Sequence, residues 1–129
     1  MTPLTARDIA QPFGAYSHGV TIPSGWRIAV TSGQLPVTAS GDTPGGIAAQ
    51  AALCLENCGA ILAEAGMGPG DVFRIAGFVT DRAHFPSYMA ARDAWLGAQV
   101  ALPTSTLVIV TGFTRPEFLV EVEIWAAAP

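Results

Sequence analysis

The sharpest polar–apolar alternation lies near the end of the chain. From Phe118 the residues run Phe-Leu-Val-Glu-Val-Glu-Ile-Trp. On a strand, Leu119, Glu121, Glu123 and Trp125 share one face, and Val120, Val122 and Ile124 share the other. A second strand-like run, Pro103-Thr-Ser-Thr-Leu-Val-Ile-Val, precedes it, and Thr111-Gly-Phe-Thr-Arg-Pro-Glu reads as the turn between them. The pattern predicts a hairpin whose Thr/Ser cluster lies beside the two glutamates and lines a small polar pocket on a sheet.

The rest of the chain divides as clearly. Residues 1–13 are polar and irregular. Ser17–Ile22, a Pro23-Ser-Gly turn and Trp26–Ser32 predict a strand, a hairpin turn and a strand. Residues 35–46 read as a loop. Ile47, Ala51, Cys54, Leu55, Cys58, Ile61, Leu62 and Ala65 recur at three- and four-residue spacing, which predicts a helix over 47–65, ended by Gly66 and the Gly68-Pro-Gly turn. Val72–Thr80 predicts a strand, Asp81–His84 a turn and Pro86 the first turn of a helix reaching Gln99. The order β-β-α-β-α-β-β predicts one domain over residues 1–129. Its architecture is two-layer α+β, with two helices on one face of a mixed sheet. The opposite face carries Leu119 and Trp125, which are costly to leave in water, so other subunits are its expected cover.

Composition sharpens this picture. Apolar residues make up 50% of the 129 residues and charged ones 12%, which favours a homo-oligomer with buried interfaces. A net charge of −4 with no basic run argues against a nucleic-acid binder. No apolar stretch approaches the roughly 20 residues of a membrane span. The first residues lack a basic region followed by an apolar one, so the expected location is the cytoplasm. Cys54 and Cys58, four apart on the helix, read as small core residues; a metal pair would need further ligands. No Ser/His/Asp order or phosphate-binding glycine loop stands out.

Several segments resemble one family. Ala10-Gln-Pro-Phe-Gly-Ala-Tyr-Ser-His-Gly-Val is similar to its opening Pro-x-x-Gly-Pro-Tyr-Ser-Gln motif, and Thr31-Ser-Gly-Gln-Leu-Pro-Val to its Ser-Gly-Gln-Ile-Pro motif. Gln50–Asp81 resembles its Gln-x-x-x-x-Leu-x-Asn helix and following strand. The end resembles its Pro-Ala-Arg and Val-Glu-Ile-Glu-Ala strands. On these motifs the chain is identified as a member of the RidA/YjgF family of reactive-intermediate (imine/enamine) deaminases.

The resemblance implies a chorismate-mutase-like fold packed as a homotrimer, with a pocket at each subunit interface and no metal or organic cofactor. It implies hydrolysis of a small-molecule imine or enamine with release of ammonia. Carried over by position, the pocket tyrosine falls on Tyr16, the serine–glycine pair on Ser32 and Gly33, and the water-positioning glutamate on Glu121. The arginine that clamps a substrate carboxylate falls on Ser105, and a common asparagine falls on Met89. The proline before the tyrosine is Ala15. A serine cannot make the bidentate charged contact of a guanidinium, so a substrate without that carboxylate is expected.

Glu121 and Tyr16 are therefore the catalytic candidates, with Ser32, Gly33, Ser105 and Met89 as substrate-binding candidates. Glu123 reads as structural. Arg92, Arg27 and Arg115 are the alternative clamps, each read foremost as a surface residue. His18, where the family usually has glutamine, can serve acid–base chemistry or face outward. His84 reads as a helix-start residue. A non-catalytic trimer that binds a metabolite or protein partner is the rival reading; an RNA-cleaving role fits the acidic composition poorly.

Overall fold

The computed structural model describes residues 1–129. Its strands are β1 (Thr2–Leu4), β2 (Gly19–Thr21), β3 (Arg27–Val30), β4 (Val72–Val79), β5 (Thr104–Ile109) and β6 (Val120–Ala128). Its helices are α1 (Ile47–Glu64) and α2 (Phe85–Leu96). The main sheet has the order β3-β6-β4-β5, with β4 and β5 parallel and the other pairs antiparallel. The two-layer α+β architecture with a mixed sheet is as expected.

Two strand pairings differ from the expectation. The Ser17–Ser32 hairpin does not form: β2 pairs with β1, inside a segment expected to be irregular, and β3 pairs with β6. The nine-residue β6 offers β3 a longer ladder than the three-residue β2 can. Nor are β5 and β6 a hairpin, because β4 lies between them. The Thr/Ser cluster therefore does not sit beside the glutamates. β5 is instead the second parallel strand of a β4–α2–β5 unit, whose crossover is long enough to carry a helix.

Alternation on β6 fixes the two faces of the sheet. Val120, Val122, Ile124 and Ala126 are fully buried beneath the helices with Ile75 and Val79 of β4. From α1, Ala51, Cys54, Leu55, Cys58 and Leu62 fill the same core. The thiols of Cys54 and Cys58 lie 3.7 and 3.5 Å from the Val120 and Val122 carbonyls, as donors. α1 is long and apolar enough to cross a membrane by length and composition. Its buried stripe packed on the sheet marks it as a core helix.

Gln50, only 2% exposed, ties the start of α1 to the approach to β6. Its Nε2 donates to the carbonyls of Pro44 (3.0 Å) and Glu117 (2.9 Å). Its Oε1 accepts from the Leu119 N–H at 2.9 Å. This amide sets the path of the chain two residues before Glu121.

Candidate functional site

A pocket of about 330 Å³ opens between the N-terminal segment, α2 and β5. Its lining is Phe13, Tyr16, Phe85, Met89, Arg92, Ser105 and Leu107. Tyr16 is brought there by the next residue: Ser17 N–H donates to the Pro103 carbonyl (2.9 Å) and its Oγ to the Leu102 carbonyl (2.7 Å). The Tyr16 hydroxyl accepts from the Phe13 N–H at 3.1 Å. The N-terminal segment is thus fastened to the start of β5.

Arg92 lines the pocket and corrects the expectation of a surface residue: it is 3% exposed. Its Nη1 donates to Ser105 Oγ at 3.0 Å. Its Nε (2.8 Å) and Nη2 (2.7 Å) both reach Asp93 Oδ1, whose side chain is 45% exposed. Ser105 and Arg92 are therefore partners. The signal for this was present in the sequence: Tyr88, Arg92 and Leu96 lie four apart and are all buried, so Arg92 interrupts an apolar helix stripe. Phe13, Phe85, Leu107 and Asp93 were also missed as pocket residues, since only the fold gathers them.

The remaining candidates lie elsewhere. Ser105 registers with Ile75 and Ile75 with Ile124, all on the helix side of the sheet. Glu121 registers with Phe78, one residue out of that phase, and so points from the opposite face. There it meets Gly33. Thr31 N–H bonds the Ile124 carbonyl and Gln34 the Val122 carbonyl, so four residues span three of β6 and Ser32–Gly33 bulge outward. A Cβ on Gly33 would overlap the Glu121 carboxylate, which makes glycine the residue this approach requires. Ser32 is exposed beside it.

Burial first, and the neighbouring Glu123 charge second, raise the Glu121 carboxyl above the ordinary carboxylate value. The same face carries Glu123, Thr106, Arg74 and Trp125, with the Arg74 guanidinium 5.2 Å above the Trp125 ring. Its apolar residues include Ile28 (61% exposed), Val30 and Val108. The site residues thus form two groups on opposite sides of one sheet: Tyr16, Met89, Arg92 and Ser105, and then Ser32, Gly33 and Glu121.

The other candidates have structural partners. His18 Nδ1 accepts from the Ala6 N–H (3.2 Å) and its Nε2 lies 2.9 Å from the Ala10 carbonyl, so it fastens the N-terminal segment. Arg27 bonds the carbonyls of Pro129 and Ala65, and Arg115 stacks on Phe118. His84 stands at the start of α2 as expected. No group of three or more His, Cys, Asp or Glu side chains is placed to hold a metal ion.

Comparison with known proteins adds to this geometry. Residues 7–128 match the family model described as Endoribonuclease L-PSP. The 2-iminobutanoate/2-iminopropanoate deaminase of Escherichia coli K12 is 33% identical over 117 residues, covering 89% of this chain and 87% of that protein. The structure of YyfB, a Rid-family protein of unknown function from Yersinia pestis, superposes with a TM-score of 0.79 at 29% identity. It covers 88% of this chain and 87% of that one. E. coli TdcF with bound serine gives a TM-score of 0.72 at 28% identity over the full length of both chains. With the family model spanning nearly the whole sequence and the fold shared in full, the chain belongs to the RidA/YjgF family.

Proposed function

We propose that this protein hydrolyses a small imine or enamine with release of ammonia, as a cytoplasmic homotrimer whose site is completed between subunits. The observation that carries the reading is the division of the candidates between two sheet faces. A pocket without a catalytic carboxylate on one side and a glutamate in a glycine cradle on the other make one site only when two copies meet. Exposed Ile28, Val30 and Val108 on the same sheet face as Glu121 give that meeting an apolar surface to bury.

In this reading a substrate sits against Tyr16, Met89 and Ser105 of one subunit and faces Ser32, Gly33 and Glu121 of its neighbour. An imine carbon is already electrophilic. Glu121 takes a proton from water as the water oxygen bonds to that carbon, the C=N electron pair moves to nitrogen, and Glu121 passes the proton on to that nitrogen to give a carbinolamine. Glu121 then takes the hydroxyl proton as the C=O bond forms and gives it to the amine nitrogen as the C–N bond breaks; ammonia leaves and a carbonyl remains. A carboxyl raised above its usual range suits this exchange, since it holds a proton more readily near neutral pH. The deaminase name of the E. coli relative supports the same chemistry. The family model's endoribonuclease description gains no such support: the chain has six basic residues against ten acidic ones and no basic stripe for phosphates.

The test is ammonia release from freshly generated 2-imino acids by the wild type and by Glu121→Gln, with the mass in solution measured alongside. Acceleration by the wild type, lost in Glu121→Gln, and a mass of three chains are expected. A monomer that still accelerates release would overturn the interface site. Equal release by Glu121→Gln would overturn the role of Glu121. Ligand binding without acceleration would turn the reading to a binding protein.

A further inference from the structure

The geometry points to Arg92, acting from helix α2, as the group that binds a substrate carboxylate in this chain, where the β5 position holds Ser105 in place of a cation. This rests on the proposed deaminase reading and deepens it.

A guanidinium has five N–H donors. In Arg92 one is taken by Ser105 and two by Asp93 through Nε and Nη2. The two left are one on Nη1 and one on Nη2. A pair of guanidinium N–H groups matches the two oxygens of a carboxylate. Nη2 lies on the pocket side: it is 3.7 Å from where a Cβ on Gly14 would stand, and the Tyr16 ring, which also lines the pocket, is 3.9 Å from the same point. The guanidinium is held from both flanks, so little ordering remains for a ligand to impose. Asp93 is a positioning residue; it is half-exposed, so its charge is screened, and it leaves one N–H of Nη2 unused.

The surroundings make these groups selective. Phe85, Met89 and Leu107 supply apolar walls beside the exposed Phe13, so the unused N–H groups of Arg92 have few other polar partners in the pocket. Burying them without an acceptor is costly. The walls suit a hydrocarbon group, and the volume of about 330 Å³ accommodates one larger than a methyl. Ser105 is then not a lost clamp. It is the short hydroxyl that leaves room for Arg92 to arrive from the helix and that holds its Nη1. On this proposal a substrate with a carboxylate is expected in place of one without it.

The experiment uses the assembled wild-type protein and an unreactive analogue. Binding of 4-methyl-2-oxopentanoate and of 4-methyl-2-oxopentanamide is measured by calorimetry. The acid is expected to bind roughly 10- to 100-fold more tightly than the amide. Arg92→Met should remove that preference, and the exchange Arg92→Ser with Ser105→Arg should restore it from the neighbouring strand. Equal wild-type affinity for acid and amide overturns the inference without any variant. So does an acid preference that survives in a folded Arg92→Met protein. Ammonia release separates the two readings. Acid-selective, Arg92-dependent binding without any release would leave the clamp standing and the deaminase reading overturned. Equally fast release from the imines of both compounds would do the reverse.

Discussion

Gln50 offers the most direct test of how the core sets the site. Gln50→Met keeps the length and volume of the side chain and removes its amide. Three backbone groups then lose their partner: the Pro44 and Glu117 carbonyls and the Leu119 N–H. At about 1 kcal/mol each, the low end for polar groups left unpaired because Pro44, Glu117 and Leu119 are themselves partly exposed, the loss is about 3 kcal/mol. Against a typical total of about 5–15 kcal/mol this is large. For a chain of this length each kcal/mol moves Tm by about 3–5 °C, so Tm should fall by about 10–15 °C. Gln50→Glu sharpens the test. Its carboxyl would face two carbonyl oxygens in a buried place, which raises its folded pKa above the unfolded value of about 4.3. The penalty is then full above the folded pKa and is relieved as pH falls toward the unfolded one. The Tm deficit of Gln50→Glu relative to wild type, followed by thermal denaturation from pH 7 to pH 5, should shrink. A fall of less than about 3 °C in Gln50→Met, or a deficit in Gln50→Glu that grows on acidification, would refute the reasoning.

Three further predictions follow from the site and the core. Gly33→Ala places a Cβ onto the Glu121 carboxylate, so ammonia release should drop by at least tenfold while Tm changes little; a fully active Gly33→Ala variant would mean that Glu121 does not need this cradle. The kcat/KM of the wild type should rise with pH through the raised Glu121 carboxyl, and Glu123→Gln should move that limb to lower pH, but only partly, because burial is the larger cause; an unmoved limb would assign the titration to another group. Cys54 and Cys58 should resist a thiol reagent at pH 8 in the native protein and react once it is denatured. Burial holds Cys54 up strongly and pushes Cys58 up to about 11, while unfolded thiols ionise near 9.0, so folding stability should fall as pH rises from that value toward 11. Fast native labelling, or alkaline stability unaffected by replacing both cysteines with alanine, would contradict this.

Much of the architecture was legible in the order of residues. The spacing of Ala51, Cys54, Leu55, Cys58 and Leu62 specified α1 and its buried face, since every fourth or third residue of a helix points the same way whatever lies opposite. Alternation specified β6 and put Glu121 and Val122 on different sides. The motifs around Tyr16, Ser32–Gly33 and Glu121 specified the family. Strand neighbours were not legible, because alternation tells which face a residue takes and nothing about which strand lies beside it. Only the tertiary structure inserts β4 between β5 and β6, and so separates Ser105 from Glu121 across the sheet. Only it brings Arg92 onto Ser105, 13 residues away and on another element. Such a contact depends on how α2 lies on β5, and that position is set by packing of the whole core rather than by any local run of sequence.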